Sequence, residues 1–154
     1  MKKFNILVIL LLIVVNISSC SAMFGPTTPK SFSVNEPGWV DMELRQDLER
    51  ETLLTRMTEV ITRENYEPEI ISKDTGYLRT KWKYGLTTGG GKIVDYYRTR
   101  ITLQISTDYT KVSINCEANL LEKGMWGETY WTQGTDTQVL EDIKDAIKGV
   151  VGKQ

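Results

Sequence analysis

YYRTRITLQIS, residues 96–106, sets the fold. Ile101, Leu103 and Ile105 alternate with Arg98, Arg100, Thr102 and Gln104, a period of two that puts apolar residues on one side and polar ones on the other. Such a strand has one face covered and one in water. The pattern repeats on both sides of it. YLRTKWKY (77–84) places Leu78, Thr80, Trp82 and Tyr84 on one side and Tyr77, Arg79, Lys81 and Lys83 on the other. KVSINCEAN (111–119) turns Val112, Ile114, Cys116 and Ala118 inward. The connections GLTTGGGK (85–92) and TDYT (107–110) are short, which predicts that the three strands form an antiparallel meander. YEPEII (66–71) adds a short strand, and Pro68, with no N–H to donate, assigns it to an edge.

Two helices flank these strands. DMELRQDLERETLLTRMTEVITRE (41–64) lacks Pro and Gly and is rich in helix formers. Leu54, Met57 and Ile61 share a face with Leu53 and Val60 close by, whereas Leu44 and Leu48 lie about a third of a turn round. The second half therefore packs on the core, and the first frays or leans on something else. In TDTQVLEDIKDAIKGVVGK (135–153), Val139, Ile143, Ala146, Ile147 and Val150 recur at helical intervals. Thr135 and Gln138 have capping-box spacing, Asp136, Glu141 and Asp142 suit the positive end of the dipole, and Gly152 is placed to end the helix. Two amphipathic helices and a sheet with one apolar side predict an α+β two-layer sandwich: an antiparallel sheet of about four strands with both helices on one face. It occupies residues 41–154 as a single domain.

The chain opens MKKFNILVILLLIVVNISSCSAM, with Lys2 and Lys3 ahead of an unbroken apolar run from Ile6 to Val15. That run falls short of the ~20 residues that span a bilayer. A charged start, an apolar middle and small residues at the end are the parts of a secretory signal. Ile17-Ser18-Ser19-Cys20 resembles the bacterial lipobox. The resemblance implies a lipoprotein signal peptide over 1–19, cleavage before Cys20, and lipidation of its thiol and new amino group. An ordinary secretory signal with an incidental Cys20 is the other reading. Several acyl chains on one residue hold a domain firmly at a membrane, at ~0.8 kcal/mol per buried methylene. Residues 20–40, with Pro26, Pro29 and Pro37, read as the lipidated Cys and a flexible tether. The expected location is the bacterial cell envelope, lipid-anchored, with Ser21 rather than Asp after the Cys favouring the outer membrane facing the periplasm. Losing Lys2 and Lys3 leaves 17 basic residues against 20 acidic, a net charge of −3. Nothing in that balance asks for nucleic acid.

Chemistry is hard to assemble from these residues. The chain has no His, the commonest general base and metal ligand at neutral pH. Cys116 points at the core and, with Cys20 acylated, has no partner for an internal disulfide. The carboxylates sit mainly on helix faces, at Glu43, Asp47 and Glu51 or at Glu141, Asp142 and Asp145. Thr87–Lys92 fails as a phosphate loop, because the motif's first glycine falls on Leu86 and Ile93 follows the lysine. No enzyme, cofactor or metal site is expected.

One face stands out instead. If strands 77–84 and 96–106 pair, Arg79, Lys81, Lys83, Arg98 and Arg100 project together, with Tyr77 and Tyr96 among them. Clustered like charges repel. Either acidic neighbours such as Glu117 and Asp95 neutralise them, or the face docks an acidic protein surface, an anionic lipid or a glycan phosphate. A second group, Met125, Trp126, Tyr130 and Trp131, is either an exposed rim for glycan or membrane contact or a segment closing the core under the last helix.

Asp74, Gly76, Leu78, Thr80 and Trp82, followed by Tyr97-Arg98-Thr99-Arg100 after a helix and a short edge strand, resemble the helix-grip domain of the BamC (NlpB) family. These are lipoproteins of the outer-membrane β-barrel assembly machinery. The resemblance covers about residues 41–151 and implies a helix-grip-like fold and an envelope protein that acts by protein contacts, as an accessory of outer-membrane assembly. A periplasm-facing binding module for anionic lipid or glycan is the alternative.

Overall fold

A computed structural model describes residues 31–34, 38–89, 92–123 and 126–153. Residues 1–30, where the signal peptide, the lipidated Cys20 and most of the tether are expected, lie outside them. In chain order the elements are β1 (Phe32–Ser33), β2 (Trp39–Glu43), α1 (Arg50–Arg63), β3 (Pro68–Ser72), β4 (Tyr77–Thr80), β5 (Lys83–Gly89), β6 (Lys92–Ile105), β7 (Lys111–Lys123), β8 (Thr129–Asp136) and α2 (Thr137–Val151). The strands form a single antiparallel sheet of eight, ordered β1-β8-β7-β6-β4-β3, with β2 also on β7 and β5 also on β6.

This overturns the expected sandwich with a sheet of about four strands. Its axis is a hairpin of two long strands, β6 with 14 residues and β7 with 13, and each is flanked by two shorter strands end to end. Along β7, β2 pairs with 111–115 and β8 with 117–123. Along β6, β4 pairs with 102–104 and β5 with 92–99. Two of the added strands come from segments whose local character pointed elsewhere. WVDME, taken in part as the start of the first helix, is β2, because its backbone completes the ladder along the lower half of β7 and buries Met42 against the core. GLTTG, taken as a loop, is the end of β5.

Both helices bury their apolar stripes in one cluster with the same sheet face. Leu53, Leu54, Met57, Val60 and Ile61 of α1 and Leu140, Ile143, Ile147 and Val151 of α2 join Leu78, Ile101, Leu103, Val112, Ile114 and Cys116. A smaller cluster of Tyr97, Ala118 and Leu120 lies further along that face, where Phe32 packs edge-on against the Tyr97 ring at 6.1 Å between centroids. Gly134 makes room for Phe32: a Cβ there would lie 2.8 Å from the phenyl ring and 2.6 Å from the Ser33 carbonyl. The N-cap of α2 is Asp136 rather than Thr135, and its carboxylate accepts from the Val139 N–H at 3.0 Å.

Candidate functional site

The other sheet face has no helix over it among the described residues, and its residues follow from the register. Arg100 lies opposite Glu117, Arg98 opposite Asn119, and Leu121 opposite Trp131. On the far side of β6, Arg79 lies opposite Thr102 and Tyr84 opposite Arg98. These two pairings cannot belong to one continuous ladder, because one extra residue sits between β4 and β5. The Thr80 hydroxyl fills the gap, accepting from the Ile101 N–H at 3.0 Å. The slip reverses the facing of the residues after it as far as Gly85, where a second shift before Leu86 restores the earlier register. Leu78 and Thr80 point into the core, whereas Trp82 and Tyr84 face out and Lys83 turns to the helix side. Uniform alternation through YLRTKWKY therefore fails at Lys81.

Arg98 is held between two indoles. Its guanidinium carbon is 4.4 Å from the Trp82 ring centre and 4.2 Å from that of Trp131. With its amide turned so that the oxygen faces Arg98, Asn119 accepts from Nη2 at 3.1 Å. Arg100 lies 4.4 Å over the same Trp82 ring, and its Nε donates to Glu117 Oε2 at 2.9 Å. A guanidinium stacked on aromatic faces and bonded at its edge has little rotamer freedom left to lose on binding. Tyr84 is 48% exposed beside this group.

The remaining residues of the expected face disperse. Arg79 pairs with Glu69 at 3.2 Å and Lys81 with Glu67. Lys83 donates to the Glu64 carbonyl at 3.0 Å and lies 4.5 Å over the Tyr66 ring. Tyr77, opposite Gln104, is half-buried, and the Tyr96 side chain lies outside the described residues. The five clustered cations thus resolve into a compact arginine–tryptophan group, with Arg79, Lys81 and Arg100 ion-paired and Lys83 turned to the helix side. Trp82 and Trp131 were missed as members of this face. Glu117, one of the acidic neighbours expected to neutralise the face, pairs with Arg100, and a turn at TDYT that sets Ile105 against Val112 puts the two opposite each other by counting.

Among the described residues no group of three His, Cys, Asp or Glu side chains is placed to hold a metal ion. Cys116 is fully enclosed, and burial pushes its thiol pKa up to about 12 from a usual 9. Burial also raises the Tyr97 and Tyr66 hydroxyls above their ordinary 10. Tyr97 donates to Asp136 Oδ2 at 2.6 Å, and Tyr66 lies 2.8 Å from the Thr99 hydroxyl. Because folding raises these pKa values, the stability they protect is complete below pH 9 and falls as pH climbs towards 12. Each such group contributes a loss of up to about 1.4 kcal/mol per pH unit within its window. Urea unfolding midpoints should therefore drop from pH 9 upwards, and in Cys116→Ala the drop should begin about one unit later, where the tyrosines take over. A midpoint flat from pH 8 to 11 would contradict this.

No protein-family model matches the chain, and no curated protein is similar to it.

Proposed function

We propose that this is a lipid-anchored protein of the bacterial envelope that works by docking another envelope protein on the uncovered back of its sheet. Arg98 stacked between Trp82 and Trp131 carries the reading, because Trp, Tyr and Arg in a preorganised cluster are the residues that dominate protein–protein binding energy. The lipobox-like Ile17–Cys20 supports the anchor, and the resemblance of Asp74–Trp82 and Tyr97–Arg100 to BamC supports outer-membrane assembly as the class of partner. An anionic lipid or glycan is the weaker reading, since Arg79, Lys81 and Arg100 already have carboxylate partners.

Crosslinking and pull-down from membranes test it. Tyr84→Glu and Arg98→Ala, each shown by urea unfolding to keep its fold, should reduce capture of the partner protein at least about tenfold. Enrichment of β-barrel assembly components supports the assembly role. Recovery of lipopolysaccharide or murein in their place favours the binding module, and undiminished capture by both variants rejects the face.

A further inference from the structure

The β7–β8 turn presents the most exposed large apolar side chain among the described residues: Trp126 is 90% exposed, and Tyr130, just inside β8, is 50% exposed. Gly127, with φ of 87°, shapes the turn, and the Trp126 N–H is held by Glu128 at 3.1 Å. The indole is thus carried on a tied turn. Its position in the fold is equally specific. The β6–β7 pairing ends at Tyr97–Leu120, while β7 and β8 stay paired on to Lys123–Thr129 just before the turn, so Trp126 stands at an end of the sheet.

The chain enters the fold within reach of that end. The Ser31 carbonyl accepts from the Thr137 N–H at 2.9 Å, and β1 pairs with Thr135 and Asp136. From Thr135 to Thr129 along β8 is about 20 Å at strand rise, so the tip stands under about 30 Å from Ser31. Eleven residue steps separate Cys20 from Ser31, a chain that can extend to at most about 40 Å. An acylated Cys20 and Trp126 can therefore occupy one membrane at once. Tryptophan belongs at that boundary, with its ring among the acyl ends and its N–H towards the headgroups. Tethering makes insertion of a single indole effective, because the second contact forms at the high local concentration the leash imposes.

We infer that Trp126 is a second membrane contact: the β7–β8 turn dips into the headgroup region of the bilayer that holds Cys20, and the sheet stands upright on it. This rests on the lipid-anchor reading. Upright, the sheet presents the Trp82–Arg98–Trp131 group sideways, where a neighbouring envelope protein can reach it.

The test uses the mature acylated protein in phosphatidylethanolamine–phosphatidylglycerol vesicles whose acyl chains carry bromine close to the headgroup. Bromine should quench part of the native tryptophan emission, and most of that quenching should vanish in Trp126→Phe, a surface change that leaves the fold alone. Equal quenching in both, or none in either, while the protein floats with the vesicles overturns this inference and leaves the anchor standing. A chain that carries no acyl group on Cys20 and does not float overturns the anchor, and this inference with it.

Discussion

Asp136→Ala is expected to lower the unfolding free energy by about 2–4 kcal/mol, measured by urea titration at pH 7. One carboxylate, only 4% exposed, serves two donors: the half-buried Val139 N–H at the first turn of α2 and the buried Tyr97 hydroxyl of β6. Removing the cap alone costs about 0.5–2 kcal/mol, and leaving a buried hydroxyl without a partner costs a further 1–3 or so. Asp136→Asn keeps an acceptor for the cap and should lose less than half as much. Tyr97→Phe, which removes the donor without opening a cavity, should be milder than Asp136→Ala. The double variant should lose less than the two single losses together, because the shared bond can be lost only once. Strict additivity would show that Asp136 and Tyr97 act independently. The pair also joins elements far apart in the chain, tying the start of the last helix to the strand that carries Arg98 on its other face.

The residues that made the fold legible and those that hid it differ in what decides their conformation. Ile101, Leu103 and Ile105, or Val112, Ile114 and Cys116, read correctly because a half-buried strand writes its burial directly into alternation. Leu53, Leu54, Met57, Val60 and Ile61 are all buried, for the same reason at helical period. Trp39–Glu43 defeated this logic: Met42, Glu43 and Leu44 are sound helix formers, and only the unfilled lower half of β7, 70 residues away in the chain, makes a strand of them. Counting strands therefore required knowing how far β6 and β7 run past the helices. The candidate face suffered from one local event. The extra residue between β4 and β5 exchanged Trp82 for Lys83, and a slip of that kind leaves no trace in composition. Arg98 and Arg100 were placed on the right side because they lie on β6, where the period is unbroken.

Gly76→Ala should destabilise the protein by at least about 2 kcal/mol, whereas Gly149→Ala should stabilise it by about 0.5–1 kcal/mol. Both replacements add one methyl group, so their opposite signs isolate conformation and space. Gly149 lies in the exposed part of α2 with nothing within 4 Å of a built Cβ, and alanine there removes only unfolded-state freedom and the helix penalty of glycine. Gly76 has φ of 66°, which costs an L-residue about 1–2 kcal/mol, and its Cβ would stand 2.9 Å from Cβ of the buried Ile105. Trimming Ile105 gives no relief, because the obstruction is its first side-chain carbon. Gly76→Ala combined with Ile105→Val should accordingly be no more stable than Gly76→Ala alone. Backbone movement is the remaining escape, and the position resists it: the Gly76 carbonyl accepts from the Ile105 N–H at 2.9 Å, and the Asp74 carbonyl accepts from Arg50 of α1. The glycine in SKDTGYLRTKW is thus fixed by the need to bring the chain out of the turn directly against the end of β6. A Gly76→Ala variant as stable as the parent would mean that this turn can slide, and with it the register that aims Arg79 outward and Leu78 into the core.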